Sequence, residues 1–194
     1  MLTPGLAWFA VIASFTGAQV LAVAALLLAL SAAAFLPENL LRGKLFMGDN
    51  GSQAVGFFIA AFAVLGVNWT DGRLSALVIP VIFLPFLFDV IWTLISRFIR
   101  RQNILKAHRE HFYQLMMRLG GSHARVAVIY MSLISLSAGA AILMLTFPAT
   151  LHWMTPLVLS LLFAVGGVAL YRRAWRANLL ETAAPENAVP TAAE

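Results

Sequence analysis

Apolar residues occur in long runs separated by short polar segments, and most runs are long enough for a membrane-spanning helix. No charged residue occurs between residues 5 and 36, whereas a spanning helix needs about 20 apolar residues. We therefore place a first span at 19–36, preceded by an apolar piece that is too short to cross by itself. The same pattern predicts four further spans, at 53–67, 74–96, 124–146 and 155–171.

Two features modify this simple pattern. The third span contains Pro80 and Pro85, which are expected to kink it because proline lacks a backbone donor and clashes with the preceding turn. After this span, apolar residues recur at helical spacing from Lys106 to Leu119. This spacing predicts an amphipathic helix that lies at the membrane surface.

The composition supports a membrane protein and excludes several kinds of site. Hydrophobic residues make up 61% of the 194 residues and charged residues only 11%, whereas soluble domains carry about 25% charged residues. The chain has no cysteine, which excludes disulfides, thiolate metal sites and a cysteine nucleophile. The first charged residue is Glu38, so the basic start of a cleavable signal peptide is missing.

The basic residues indicate the orientation. Every Lys and Arg except Arg73 lies in one of three segments, at 42–44, 97–125 and 172–176. With five spans these segments share one side of the membrane, and the positive-inside rule places that side in the cytoplasm. The net charge of +5 therefore reflects membrane-flanking loops, and we expect no nucleic acid as a partner.

The expected fold is all-α: a polytopic transmembrane helical bundle of about five spans with one amphipathic cytoplasmic helix. Residues 1–176 form the expected membrane domain. The tail at 177–194 is rich in Ala, Pro and Glu and is expected to be disordered.

The first polar interruption, the loop 40–53, reads LLRGKLFMGDNGSQ and carries candidate chemistry. Glycines near an acid let a ligand approach the backbone closely. A lone carboxylate is a suitable ligand for Mg²⁺ that also binds phosphate oxygens. Free backbone N–H groups in such a turn can bind phosphate. The alternative is a glycine-rich turn between two helices, with Asn50-Gly51 as its turn pair. The candidate residues in this loop are Arg42, Lys44, Gly48, Asp49, Gly51 and Ser52.

A second group of candidates lies in the predicted amphipathic helix. His108 and His111 are spaced to project from one helix face, with Arg109 beside them. Such a cluster of donors suits a diphosphate, although a solvated interfacial helix face would have the same sequence. A zinc site would need three or four ligands, and two histidines support it only weakly.

Asp89 lies near the end of the third predicted span. An acid within a spanning segment is costly and therefore points to a function. The alternative is a structural residue at interface depth, paired with Arg97 or Arg100.

Two stretches together resemble one known family. KLFMGDNGSQAVGF resembles the FMGDxGS motif of the polyprenyl-phosphate N-acetylhexosamine-1-phosphate transferases, glycosyl transferase family 4. Residues 88–126, which contain AHREHFYQL and SHARV, resemble a later part of the same family. They are most similar to the branch that includes the undecaprenyl-phosphate GlcNAc-1-phosphate transferases. The resemblance covers about residues 19–146.

The resemblance implies an enzyme in a bacterial inner (plasma) membrane with its active site facing the cytoplasm. A polyprenyl phosphate would attack a UDP-sugar, take HexNAc-1-phosphate and release UMP, in cell-wall or O-antigen lipopolysaccharide synthesis. Mg²⁺, with Mn²⁺ as the alternative, would be the cofactor. Asp49 matches the family's metal-binding acid, and the catalytic or phosphate-holding residues would be His108, Arg109 and His111. Asp89 matches an acid that recurs in the family before the basic loop, and the resemblance assigns it no definite role. Arg42 and Lys44 are expected to contact phosphate, an expectation based only on their charge and their position.

This chain also departs from the family pattern. Family members carry further acids in an earlier half, whereas no Asp precedes Asp49 here. We therefore expect a C-terminal fragment, a start codon assigned too late, or one half of a split enzyme, with a missing N-terminal half or a homo-oligomer as partner. Two other hypotheses stay open: a non-catalytic membrane subunit that binds lipid phosphate or a partner enzyme, and, less well supported, a small transporter.

Overall fold

The computed structural model describes residues 2–41, 47–103 and 109–180, and every regular element in these ranges is a helix. A π-helical turn, Pro37–Leu41, continues directly from the second helix, and a short 3₁₀ turn, Ala149–Leu151, precedes the last one. The α-helices are α1 (Leu2–Thr16), α2 (Gln19–Leu36), α3 (Gly48–Trp69), α4 (Val78–Ile82), α5 (Leu84–Ile99), α6 (Phe112–Arg118), α7 (His123–Met144) and α8 (Met154–Arg176).

The predicted all-α membrane bundle is confirmed. Four helices in the described ranges are long and apolar enough to cross a membrane: α2 with the start of its π turn, α3, α7, and α8 with the preceding 3₁₀ turn. The predicted third span, 74–96, is instead divided between α4 and α5, which follow each other with one residue between them. With this pair as a fifth crossing, the start of α3, the segment around α6 and the end of α8 fall at the same end of the bundle.

The break between α4 and α5 confirms the predicted effect of proline. Phe83 ends α4 by donating its N–H to the Ile79 carbonyl at 3.0 Å, and its own carbonyl accepts the N–H of Phe86 at 3.0 Å. Pro85 lies in the first turn of α5, where the N–H that proline lacks has no intrahelical partner. The helix is therefore interrupted at Phe83.

The apolar piece that is too short to cross by itself forms α1, which packs against α2, α4 and α7. Gly17 joins α1 to α2 with φ of 93°, a conformation that glycine adopts without strain. Leu6 and Phe9 are buried, and the Phe9 ring stacks on Phe62 of α3 at 5.8 Å between centroids. Since many of the residues of the main core come from α1 and α2, this short helix is central to the bundle.

Candidate functional site

The GDNGS motif forms the first turn of α3. Gly48 has φ of 65°, and Asp49 and Ser52 follow in helical conformation, with the Ser52 hydroxyl donating to the Asp49 carbonyl at 2.9 Å. The interpretation of Asn50-Gly51 as a turn pair between two helices was therefore wrong, because both residues lie inside the helix. Asp49 is exposed, beside the unpaired N–H groups with which every helix begins.

Packing against Met47 explains why a glycine occupies position 51 in this turn. A methyl group at this position would lie 2.6 Å from Cγ of Met47, so glycine leaves room for the Met47 side chain against the helix start. Met47 is the N-cap residue and offers no side-chain acceptor to the helix. The first N–H groups of α3 therefore receive no side-chain cap from this residue, an arrangement that suits an anionic ligand.

Asp89 lies on α5 and is only 2% exposed. Its Oδ2 accepts the hydroxyl of Tyr130 on α7 at 2.6 Å, and its Oδ1 accepts the backbone N–H of Phe112 at 2.8 Å. Oδ1 also lies 3.4 Å from Nδ1 of His111 and 3.3 Å from the hydroxyl of Thr93. Asp89 therefore joins α5, α7 and the start of α6.

The arginines proposed as structural partners of Asp89 contact a different acid. Glu110 is 1% exposed; its Oε2 lies 3.5 Å from Nη1 of Arg97 and also contacts Nη2 of Arg100. Arg97 further donates to the Asn103 carbonyl at 2.9 Å. The interpretation that pairs Asp89 with Arg97 or Arg100 was wrong, since its described partners are a tyrosine, a histidine, a threonine and a backbone amide.

Glu110 was missed by the sequence analysis. One signal was available: it is the only acid in the segment 97–125, which contains seven basic residues, Arg97, Arg100, Arg101, Lys106, Arg109, Arg118 and Arg125. A lone acid among many cations is a candidate for an ion pair. Which cations it meets depends on the fold, because the chain must turn back after α5.

The predicted amphipathic helix is shorter than expected. Of the residues 106–119, helix α6 contains only Phe112–Arg118, and residues 109–110 are described without helical structure. His111 is the N-cap in extended conformation, and its N–H donates to Oε1 of Gln114 at 3.2 Å. The prediction that His111 projects from a helix face, as the partner of His108, was therefore wrong, because His111 and Arg109 both precede the helix. They lie in an extended approach to the helix, where Arg109 is exposed and the His111 side chain is 25% exposed.

Several predicted residues fall outside the described ranges. Arg42, Lys44 and His108 are among them, so their places as phosphate contacts stay predictions. Of the predicted site, the structure brings together Asp89 and His111. Asp49 has no described hydrogen bond or ion pair with either residue: α3 packs on α2 and α4, whereas α6 packs on α7 and α8.

Aromatic rings hold α6 in place. The Phe112 ring lies 5.6 Å from that of Tyr171 and about 6 Å from those of Phe88 and Trp92, measured between centroids. The Tyr171 hydroxyl donates to the Glu110 carbonyl at 3.2 Å. Polar and apolar contacts thus fix the same short segment, residues 110–112, on α5 and α8.

Two adjacent glycines of α8 allow the packing of Phe112 against this helix to be tested. A methyl group at Gly167 would lie 2.9 Å from Cζ of Phe112, whereas one at Gly166 would meet nothing within 4 Å. We expect Gly167→Ala to lower stability by about 1–3 kcal/mol through overpacking. Gly166→Ala, the matched control, should be neutral or stabilising by up to about 1 kcal/mol, since alanine favours helix. Thermal unfolding of both variants in the same detergent measures this, and equal melting temperatures would contradict the packing described here.

Among the described residues, no group of three His, Asp or Glu side chains is close enough to hold a metal ion. The donors at the start of α3 amount to one exposed carboxylate, that of Asp49. Since Mg²⁺ often binds through one or two carboxylates together with substrate phosphates and water, this donor set fits Mg²⁺ only as one ligand of a shared site.

The comparisons with known proteins agree with both motifs. Residues 1–67 match the model of glycosyl transferase family 4. The chain is 33% identical over 129 residues to the probable undecaprenyl-phosphate N-acetylglucosaminyl 1-phosphate transferase of Bacillus subtilis (strain 168), an alignment that covers 66% of this chain and 36% of that protein. It is 32% identical over 133 residues to the decaprenyl-phosphate N-acetylglucosaminephosphotransferase of Mycobacterium leprae (strain TN), covering 62% of this chain and 33% of that protein.

The chain thus spans about a third of the length of these curated relatives. No solved structure matches it. The family match includes α1, α2, most of α3 and the GDNGS turn, and the Bacillus alignment is long enough to extend beyond it. The predicted resemblance to glycosyl transferase family 4 is therefore confirmed for part of the chain.

Proposed function

We propose that this chain is part of a bacterial membrane enzyme that transfers a HexNAc-1-phosphate from a UDP-sugar to a polyprenyl phosphate. One observation carries the proposal: the GDNGS motif begins a helix of membrane-spanning length and leaves Asp49 exposed beside the first backbone N–H groups of that helix. An anionic ligand and a cation bound through that ligand are favoured at such a helix start. The relatives, named as polyprenyl-phosphate N-acetylglucosamine-phosphate transferases, support this choice of substrates.

The reaction is one phosphoryl transfer. An oxygen of the lipid phosphate attacks the β-phosphorus of the UDP-sugar, the phosphorus that carries the sugar. A new P–O bond forms there, and the bond from this phosphorus to the bridging oxygen breaks. UMP leaves with that oxygen, and the lipid retains a diphosphate linked to the sugar. Catalysis of this kind depends mainly on positioning and on charge stabilisation.

The described residues divide between two tasks in this proposal. The start of α3, with Gly48, Gly51 and Ser52, presents N–H groups and a close backbone approach to the diphosphate. Arg109 and His111, in the extended segment before α6, contribute donors for the same phosphates. Arg42, Lys44 and His108 are proposed to complete this set from the neighbouring segments.

We further propose Mg²⁺, or Mn²⁺ in its place, as the cofactor, with Asp49 as one ligand. A divalent ion on the diphosphate would offset the charge that develops in the reaction. The remaining ligands would be phosphate oxygens, water and acids supplied by a further part of the protein or by a second copy.

The location follows from the charge distribution. With Arg73 as the exception, the described basic residues lie at the end of the bundle that holds the start of α3 and the start of α6. Arg42, Lys44 and Lys106 lie in the sequence segments next to that end. By the positive-inside rule we propose that this end faces the cytoplasm of a bacterial inner membrane. The proposed pathway is cell-wall or O-antigen polysaccharide synthesis. The proposed membrane domain ends at 176, where α8 ends, and a tail follows.

The test is UMP release by the protein purified from its native membranes with any subunits that co-purify. Incubation with UDP-GlcNAc or UDP-GalNAc, undecaprenyl phosphate and Mg²⁺ should release UMP and form lipid-linked sugar in equal amounts. Omission of the lipid or addition of EDTA should stop both. Absence of UMP release under all of these conditions would contradict the proposal and favour the non-catalytic subunit, for which binding of the lipid phosphate alone would then be measured.

A further inference from the structure

Asp89 receives hydrogen bonds from side chains and backbone of three helices, which makes it the polar junction of this end of the bundle. Tyr130 donates from α7 at 2.6 Å, Thr93 from α5 at 3.3 Å, and the Phe112 N–H from α6 at 2.8 Å. Both carboxylate oxygens are used. The group is therefore well supplied with donors, which is the condition under which a buried carboxylate is retained.

The contact with Phe112 acts on the start of α6. Phe112 is the first residue of this helix, and its N–H is one of the groups that have no partner within the helix. Asp89 satisfies it from a different helix, in the manner of an N-cap, so the start of α6 cannot shift or unwind by one residue without losing a charged hydrogen bond. The backbone of His111, in extended conformation with φ of −61° and ψ of 149°, is fixed by the same contact.

Asp89 also orients the His111 side chain. Nδ1 of His111 lies 3.4 Å from Oδ1 of Asp89, and the ring stacks on that of Tyr113 at 6.0 Å between centroids. A carboxylate near one ring nitrogen selects the tautomer and the ring orientation of a histidine. The side chain stays 25% exposed, so this oriented ring remains accessible from outside the bundle.

A purely structural junction would not need this arrangement. Apolar residues of similar volume usually hold helices together as well as, or better than, a buried charged group. Here the charge is placed where a backbone amide, a histidine and a tyrosine meet, and the residues it fixes belong to the candidate phosphate-binding segment.

We propose that Asp89 and Tyr130 are positioning residues: together they hold His111 and the start of α6 in one geometry toward the diphosphate of the nucleotide sugar. The Tyr130 hydroxyl fixes Oδ2, so that Oδ1 stays directed at His111 and Phe112. The substrate named in this inference rests on the proposed function. The contact by which Asp89 fixes the start of α6 is a property of the structure and is tested separately.

The first test is kinetic and uses the active full protein. Asp89→Asn and Tyr130→Phe each remove or weaken a hydrogen bond to a charged group, which corresponds to about 10- to 100-fold in an equilibrium or rate. We expect kcat/KM for the UDP-sugar to fall by that factor per folded protein, through a raised KM in Tyr130→Phe and through both constants in Asp89→Asn. The double variant should be no worse than Asp89→Asn, because both residues act through one contact.

One matched control is available in the chain. Asp71→Asn changes an exposed acid in the turn at the opposite end of the bundle. It should alter kcat/KM less than about twofold, in line with the small effects of most surface substitutions. If Asp89→Asn and Tyr130→Phe only lower the melting temperature and leave KM and kcat per folded protein unchanged, the positioning role is overturned.

The second test needs no activity. In Asp89→Asn, amide hydrogen exchange of residues 112–118 should accelerate at least about tenfold, the loss expected for one hydrogen bond to a charged group. Exchange in the central part of α7 should not change. Unchanged exchange at α6 would overturn the inference that Asp89 fixes the start of this helix. The two proposals can also fail separately. If the wild-type protein releases no UMP but Asp89→Asn still accelerates exchange at α6, the proposed function is rejected, whereas the inference that Asp89 fixes His111 and α6 stands.

Discussion

Replacement of Asp49 by asparagine is expected to lower UMP release by about 100- to 1000-fold, the usual cost of removing one group that stabilises charge in a transition state. Asparagine keeps the size of the side chain but loses the negative charge that a Mg²⁺ ligand requires. The fold should persist, because Asp49 is exposed and its carboxylate makes no described hydrogen bond or ion pair. An acid in the first helical turn contributes only about 0.3–1 kcal/mol through the helix dipole.

The measurement compares UMP release and melting temperature of Asp49→Asn with those of Asp71→Asn. Asp71 is a suitable control because it is also exposed and has φ of 51°, a backbone conformation that asparagine tolerates well. It lies in the turn between α3 and α4, at the other end of α3. Turnover of Asp49→Asn at the level of Asp71→Asn would contradict a role in the reaction and leave Asp49 as an ordinary helix-start acid.

The spans were predictable because their signal is local. Long apolar runs and the prolines at 80 and 85 define where a helix can cross and where it must break, and α2, α7 and the interruption at Phe83 agree with them. The start of α3 was placed five residues late, since Asn50-Gly51 favours a turn when considered alone. A glycine in a helix costs only about 1 kcal/mol, which the helix of 22 residues offsets.

The candidate site was predictable in its members but not in its pairings. Asp89 was recognised as an unusual acid in an apolar segment, yet its main side-chain partner, Tyr130, lies 41 positions away in sequence on α7. The helical pattern from Lys106 to Leu119 was longer than α6, because the buried Glu110 side chain is drawn to Arg97 and Arg100 on α5. Periodicity describes one segment at a time and contains no information on such contacts between segments.

The Glu110 cluster should contribute strongly to stability. We expect Glu110→Ala to destabilise the protein by about 3–5 kcal/mol, the typical cost of removing one partner from a buried ion pair. Arg97 is 1% exposed and would lose the carboxylate that it now shares with Arg100. For a chain of this size the melting temperature should fall by roughly 6–20 °C, measured by circular dichroism in one fixed detergent.

A double-mutant cycle distinguishes the ion pair from lost packing. Arg100→Ala alone, and combined with Glu110→Ala, should give a double variant that is less destabilised than the sum of the single ones, because the two residues share one interaction. Arg101→Ala, at the exposed neighbouring position, is the control for removal of an arginine and should change the melting temperature little. Strict additivity of the two single effects would contradict an ion pair that stabilises the fold. In that case the aromatic rings around Phe112 would be the main support of the segment that holds His111.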